Sequence, residues 1–346
     1  MTRFLGPQEY GNFPYPPGYL YGFETSNNLA DTTNDINFGP GKCRDNEDTD
    51  NIVHPIAFVK RMDSVWTVGT NGGLKDKADA ETSEWFHLHA IKNPTTGAVD
   101  YVSSVSHDRV SVVTVTAANP AQVLWVGHGL PAGATITFSR TTGNLPAPLV
   151  TGQVYYVLAT GLTANVFSLS LTNGGAAIDT TGSSQSGTHY ARGQPILPSG
   201  YTVYRRVWSI RRSSNINRLY TQWGDRCYWQ SPLLDINTTA PGTALRQDSF
   251  AASVPYGHRT LAMIRLYTGD NAVNIIFRGP GSADSAISGT AAPLFDHGTN
   301  AALTGFKHFV PTNNTAIIEW KCNVASSLNG VRMATEGYID YRGRIG

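Results

Sequence analysis

The sequence predicts an all-β protein made of antiparallel β-sandwich domains. No segment shows a sustained helical period of apolar residues, whereas short runs rich in Val, Ile, Thr, Tyr and Trp alternate with Gly, Pro, Asn and Asp. Many short strands separated by turn residues are typical of sandwiches and barrels. The clearest strand covers 316–324, where apolar side chains occupy every second position and polar ones, such as Glu319 and Lys321, lie between them. This period of two indicates a sheet with one face in water.

Further strands of similar composition occur along the chain. Turn signals separate several of them, as at Asn71-Gly72-Gly73, Thr96-Gly97 and Gly224-Asp225, because Asn, Asp and Gly adopt turn conformations readily. In chain order we predict strands at 53–62, 84–91, 98–103, 201–212, 218–222, 226–235, 260–267, 273–278 and 331–341.

The composition excludes several classes of protein. The 346 residues carry 26 basic and 25 acidic side chains, and only 15% are charged, against roughly 25% in an average globular protein. Without a basic excess we expect no nucleic-acid partner. No apolar run approaches the ~20 residues of a membrane span, so we expect no membrane insertion. The N-terminus also lacks the apolar core of a signal peptide.

The three cysteines are far apart in sequence, at Cys43, Cys227 and Cys322. This spacing fits neither a disulfide framework nor a zinc site. We therefore expect three reduced thiols, mostly buried, in a protein that folds in a cytoplasm.

Residues 107–191 differ in composition from the rest of the chain. Only four of their side chains are charged, and Thr, Ala, Gly, Val and Ser dominate. We predict an inserted small β-domain, itself a sandwich, at the tip of a hairpin of a parent sheet, because loop tips tolerate insertions. The alternative is two or three consecutive domains. The strands predicted in this segment are 110–116, 122–126, 134–138, 153–159 and 166–171.

The remaining chain divides into three predicted parts. A discontinuous parent β-sandwich covers 20–106 plus 192–240, and a C-terminal β-sandwich covers 241–346. The sequence leaves open whether the second of these is a separate domain. Residues 1–19 form an extended N-terminal arm that docks on a neighbour, with a disordered end as the alternative. Its aromatic residues alternate with Pro and Gly: Tyr10, Phe13, Tyr15 and Tyr19.

Two histidines are the best candidates for a metal site. In a strand, His87 and His89 project from one face. A pair alone is a weak signal and no third ligand is evident nearby, so an aromatic, polar sheet face or a subunit contact is the favoured interpretation. We predict no metal and no other cofactor.

Aromatic side chains around the Gly224-Asp225 turn are candidates for contact with a sugar ligand, because Trp and Tyr rings can pack against sugars. They are Trp223, Tyr228 and Trp229; positions in the core are the alternative. A basic cluster at Arg205, Arg206, Arg211 and Arg212 favours pairing between subunits or stacking over nucleic-acid binding.

Motifs of common enzymes are not found in the sequence. It contains no Gly-x-Ser-x-Gly, no Gly-rich phosphate loop before a helix and no His-Glu-x-x-His. Any glycosidase needs two carboxyl groups, but their separation is a property of space, and no pair stands out in the sequence. We therefore expect a protein that is not an enzyme.

Several stretches of the segment 107–191 resemble a small β-domain that recurs in bacteriophage tail, fibre and decoration proteins. They are His128 to Gly133, Val154 to Val157, Leu162 to Leu169 and Gly182 to His189. The parent domain more loosely resembles phage tail-fibre and tail-tip proteins. The residues that carry this second resemblance are Gly18 to Gly22, Asp31 to Ile36, Cys43 to Asp45, Trp85 to Lys92 and Leu197 to Arg206.

The resemblance implies a structural virion protein of a bacteriophage. We expect a short tail fibre, tail-tip or fibre-adaptor subunit, located in the virion tail, that takes part in host attachment through non-covalent multivalent binding. The implied partners are tail or portal/adaptor components, host cell-surface polysaccharide or another receptor, and further copies of the chain, since family members are commonly homotrimers. A capsid decoration or head-fibre protein is the alternative, and a polysaccharide-degrading tailspike enzyme is the further alternative.

Overall fold

The computed structural model describes residues 14–78, 83–239, 241–268, 274–278, 296–298, 306–322 and 330–342. Within these ranges every regular element is a β-strand, so the predicted all-β class is confirmed. The strands are β1 (Leu20–Gly22), β2 (Thr25–Asn27), β3 (Asp35–Phe38), β4 (Gly41–Arg44), β5 (Asn51–His54), β6 (Phe58–Val65), β7 (Gly72–Lys75), β8 (Trp85–Lys92), β9 (Val99–Ser104), β10 (Val110–Val115), β11 (Gln122–Leu124), β12 (Thr135–Thr141), β13 (Val154–Val157), β14 (Val166–Ser170), β15 (His189–Gly193), β16 (Val203–Ser213), β17 (Ile216–Asn217), β18 (Tyr220–Trp223), β19 (Arg226–Thr238), β20 (Arg246–Ser249), β21 (Leu261–Thr268), β22 (Asn274–Arg278), β23 (Asp296–Gly298), β24 (Phe306–Pro311), β25 (Ile317–Cys322) and β26 (Val331–Ile339).

One large sheet organises the described part of the chain, in the order β17-β16-β8-β9-β7-β6-β3-β2-β18-β19-β26-β21-β24. Adjacent strands in this sheet are antiparallel, except in the β6–β7 and β7–β9 pairs, which are parallel. Aromatic rings from distant strands of this sheet meet in the core. The Trp85 ring of β8 lies 5.9 Å from Trp229 of β19 and 5.7 Å from Tyr338 of β26, measured between centroids. The sheet therefore packs against itself as a sandwich does, with its largest aromatic side chains between the layers.

The segment 107–191 forms a closed barrel in the order β10-β11-β14-β13-β12-β15. The prediction of a small sandwich is therefore wrong. β15 pairs with both β10 and β12, so the sheet closes on itself and has no open edge. Buried rings fill the barrel, among them Trp125, Phe138, Tyr155 and Phe167. Since β15 ends at Gly193, the barrel extends two residues beyond the predicted boundary.

The sequence predicts the barrel at the tip of a hairpin, and this prediction is wrong. Its flanking strands β9 and β16 belong to the same sheet, but β8 lies between them and pairs with both. The barrel therefore lies within a connection that crosses over β8.

Strand pairing crosses the predicted boundary at 240/241. β26 pairs with β19 on one side and with β21 on the other. The C-terminal strands β21, β24 and β26 thus belong to the large sheet, while β20, β25, β22 and β23 form a sheet of their own. β26 pairs with both halves of β19, from Arg226 to Tyr228 and from Leu233 to Thr238, so the C-terminal strand joins the large sheet along most of β19.

The three cysteines are free and buried, as predicted. Burial raises the pKa of the Cys43 thiol to about 12 and that of Cys322 to about 11. Both groups therefore remain protonated thiols near neutral pH, which fits a packing role.

Gly257 marks the contact between the barrel and the chain before β21. Its φ is +86°, and an added Cβ would lie 2.3 Å from the ring of the buried His107. We predict that Gly257→Ala lowers the free energy of unfolding by about 2 to 4 kcal/mol, because it adds overpacking to a left-handed backbone. Urea unfolding measures this loss.

The matched control is Gly224→Ala, where φ is +58° but no other atom lies within 4 Å of the new Cβ. Its expected cost is about 1 kcal/mol, from the backbone alone. Equal losses in the two variants would contradict tight packing of His107 on Gly257.

Candidate functional site

The three aromatic candidates near the turn at 224 do not share one surface. Trp223 is 74% exposed and Tyr228 is partly exposed, whereas Trp229 is only 6% exposed. In the β18–β19 hairpin Trp223 lies opposite Arg226 and Tyr228 opposite Thr221, on the outer face. Trp229 lies on the inner face, where its indole donates to the Ser253 carbonyl at 3.0 Å. Only Trp223 and Tyr228 are therefore available to a ligand.

The described part of the N-terminal arm lies on its own chain. The Tyr15 and Tyr19 rings are 4.7 Å apart, and Lys42 Nζ lies 5.5 and 5.9 Å from their centroids. The Tyr15 amide donates to Asn51 Oδ1 at 3.2 Å, and the Tyr19 carbonyl accepts from the Arg44 amide at 2.8 Å. Docking of the arm on a neighbour stays a prediction. Two of its predicted residues lie outside the described part of the chain: Tyr10 and Phe13.

The two histidines of β8 lie in the interior. His87 and His89 are fully buried, and His87 Nδ1 is 2.9 Å from Ser209 Oγ. The His87 ring packs edge-on against His107 and His258, with centroids 6.3 and 5.5 Å away. Among the described residues, no three His, Cys, Asp or Glu side chains form a group that could hold a metal ion. These histidines instead belong to a buried polar layer between the barrel and the large sheet.

Arg206 of β16 is the central charge of this layer. Its two terminal nitrogens lie 2.6 and 2.9 Å from the Asp340 carboxylate, and its Nε lies 3.4 Å from Asp108. Asp108 also lies 3.2 Å from His258 Nε2. Burial alone would raise the pKa of each carboxyl group, but Arg206 acts on both and His258 acts on Asp108. Both pKa values are therefore held below their usual range.

A cavity of about 650 Å³ opens beside Arg206 where the barrel meets the large sheet. We call it the junction cavity. Its walls come from segments that are far apart in sequence: the loop before β5, the start of the barrel, β15, β16, the chain before β21, the end of β24 and the chain after β26. Its charged and polar lining comprises Asn46, Asp108, Arg109, Arg192, Arg205, Arg206, His258, Arg259, Thr260, Thr312, Asn314, Asp340 and Tyr341.

Five guanidinium groups line this cavity against two carboxylates. Asp340 and Asp108 are both engaged by Arg206, and Arg192 pairs with Glu47. In the part of the chain that the structure describes, no carboxylate pairs with Arg109, Arg205 or Arg259. The cavity therefore carries an excess of positive charge.

Arg109 shows the consequence of this excess. Its guanidinium lies 5.3 Å from the Trp125 ring, and its terminal nitrogen donates to the Gly127 carbonyl. Burial, and second the positive charge of Arg259, lower the pKa of Arg109 to about 10. The group remains charged at neutral pH, and an anion in the cavity would stabilise it.

The sequence identified part of this site. Arg205 and Arg206 were in the predicted basic cluster, but Arg212 bonds elsewhere, to Asn217 at 2.6 Å. Arg192, Arg259 and Asp340 were missed. One signal was present: two of the four charged residues of 107–191, Asp108 and Arg109, stand together at its start.

Comparison of the chain with models of protein families, with curated proteins and with solved structures gave no match. Within the described residues, no helix has the length and apolarity needed to cross a membrane.

Proposed function

We propose that this chain is a structural virion protein of a bacteriophage, a short tail fibre, tail-tip or fibre-adaptor subunit that takes part in host attachment. Its partners would be other tail or portal/adaptor proteins, further copies of itself in a homotrimer, and a polysaccharide or other receptor on the host. Binding would be non-covalent, and several copies per particle would multiply weak contacts through a high effective concentration.

The observation that carries this proposal is the barrel. The residues of 107–191 that resemble the small domain of phage structural proteins all lie within 110–193, the span of its six strands. The barrel has few charged residues, and its strands expose apolar side chains such as Val110, Val112 and Leu124. A compact module with these exposed side chains suits contact with another surface.

A second supporting feature is the outer face of the β18–β19 hairpin. Trp223 and Tyr228 lie there beside the polar Thr221, and Ser26 of β2 continues the face. Exposure of the apolar Trp ring to water is unfavourable, and this ring does not contribute to the core. Exposed rings of this kind commonly contact ligands. This face is our proposed surface for contact with host polysaccharide.

The two buried carboxylates of the junction cavity weigh against the enzyme alternative. A glycosidase needs one carboxyl group with a raised pKa as its acid. Against the effect of burial, His258 and then Arg206 hold the pKa of Asp108 low, and Arg206 holds that of Asp340 low. This pair is therefore unsuited to act as acid and nucleophile.

Attachment can be tested with the purified protein and the host of the phage that encodes it. We expect fluorescently labelled protein to bind host cells, and an excess of unlabelled protein to slow adsorption of phage to those cells. Binding no greater than that of an unrelated protein, with adsorption unchanged, would refute a role in attachment.

Trp223→Ala tests the aromatic face. Because Trp223 is 74% exposed, we expect the free energy of unfolding to change by no more than about 0.5 kcal/mol, while cell binding weakens several-fold. Tyr21→Ala, which removes another exposed aromatic ring, is the control and should leave binding unchanged. Equal cell binding by both variants and the unaltered protein would exclude this face as the contact surface.

A further inference from the structure

We infer that the junction cavity binds an acidic saccharide, that is, one or a few sugar units that carry carboxylate or phosphate groups. This inference rests on the proposed attachment function for its choice of a saccharide. The charge of the cavity and the state of its arginines are independent of that choice.

The first argument is that several arginine N–H groups around the cavity have no hydrogen-bond acceptor. Arg205 is buried, and its one described hydrogen bond runs from a terminal nitrogen to the Arg342 carbonyl at 3.2 Å. Its Nε and the Nε of Arg109 and Arg192 are buried without a hydrogen-bond partner. Buried donors are normally satisfied, so such groups around one cavity call for an acceptor. A carboxylate or phosphate is the acceptor that matches guanidinium geometry.

The second argument is the arrangement of charge. Arg109 and Arg259 approach closely enough for the charge of one to lower the pKa of the other. The two carboxylates in the wall cannot relieve this repulsion, because both are engaged by Arg206. An anion between the barrel and the chain before β21 would remove an unfavourable interaction that the protein alone retains.

The third argument is size and lining. A volume of about 650 Å³ lies within the usual range of small-ligand sites, and exceeds the space needed for a single inorganic ion. Apart from the charges, the lining includes the Asn314 amide beside the apolar Leu261 and Pro311, while the Thr260 and Thr312 hydroxyls bond to each other at 3.0 Å. Hydrogen-bonding groups next to apolar patches match the hydroxyl edges and C–H faces of sugars.

Calorimetric titration of the full chain tests the inference with five probes. Trigalacturonate carries carboxylates, glucose 6-phosphate carries a phosphate, and maltotriose is the neutral saccharide. Inorganic phosphate represents a free anion, and a hexaglutamate peptide represents an acidic protein partner. We expect one or both anionic saccharides to bind and maltotriose not to bind. The stronger of the two anions then identifies the group that the cavity prefers.

Variants locate the binding. Arg259→Gln and Arg109→Gln should each weaken binding about ten-fold or more, since a hydrogen bond to a charged group is lost. Arg259 is exposed, so its replacement leaves the fold intact. Arg332→Gln is the matched control: it also removes one positive charge from an exposed side chain, at the opposite end of β26 from Asp340, and should bind like the unaltered protein.

Four results would overturn the inference. Neither anionic saccharide binds, or Arg259→Gln and Arg109→Gln bind them as tightly as the unaltered protein does. Alternatively, inorganic phosphate binds as tightly as the anionic saccharides, or hexaglutamate binds more tightly than both of them. Failure of the attachment proposal is separate, because it would appear as a loss of binding to whole cells. Protein that binds host cells but neither anionic saccharide would refute only this inference.

Discussion

Replacing Arg206 with Gln is expected to lower the free energy of unfolding by about 3 to 5 kcal/mol, the typical cost of removing one partner of a buried ion pair. Arg206 is fully buried, and both of its terminal nitrogens bond to the Asp340 carboxylate. The variant leaves this carboxylate buried without its partner. Urea unfolding at pH 7 measures the loss.

Two further variants separate the possible causes of that loss. Arg61→Gln breaks an exposed pair with Asp63 and should change stability little. The double variant Arg206→Met with Asp340→Leu removes both charges, and should recover a large part of the stability that Arg206→Gln loses. A loss in Arg206→Gln no larger than in Arg61→Gln would contradict the buried pair.

Acid should destabilise the protein between about pH 6.5 and pH 4. In the unfolded chain a histidine is protonated below pH 6.5, whereas burial lowers the pKa of His89 to about 4. Between these values the unfolded state binds more protons than the folded state, so stability falls as the pH falls. From pH 7 to pH 5 the expected loss from His89 alone is about 2 kcal/mol.

Other buried histidines add to this loss. Burial is also the largest cause that lowers the pKa values of His87, His107 and His258. Asp108 and Asp340 contribute little in this range, because their pKa values are depressed and their stabilisation begins to be lost only as the pH falls through about 3.8.

Urea unfolding at pH 7 and pH 5 measures the effect, with His89→Phe as the variant that lacks one titrating ring. We expect this variant to lose about 2 kcal/mol less than the unaltered chain on acidification. Equal stability of the unaltered chain at the two pH values would contradict neutral buried histidines.

Local patterns in the sequence predicted many of the strands, but the predicted strand 53–62 is wrong, because β5 ends at His54 and β6 begins at Phe58. Other strands, such as β3, β7 and β24, were not predicted. The predicted strand 316–324 contains β25, and the prediction of 84–91 nearly matches β8 at Trp85–Lys92. Each of these patterns depends on neighbouring residues alone, because alternation of side chains is a property of one strand. The adjacent positions of Tyr228 and Trp229 also imply opposite faces, which the structure shows.

Long-range pairing is what the sequence could not supply. The barrel closes because β15 pairs with two strands. The C-terminal strands join the large sheet because β26 pairs with β19. The junction cavity has the same origin, since Arg109, Arg205 and Arg259 come from three distant segments. No local pattern contains the distance between such residues.

Immunogold labelling of intact phage particles with antibodies against this chain is the most direct test of the central claim, that the protein is a tail component that contacts the host. We predict gold at the tail or its tip. Label over the head would assign the protein to capsid decoration and contradict a tail role. Particles without label, in a preparation where the antibodies detect the purified protein, would contradict its place in the virion.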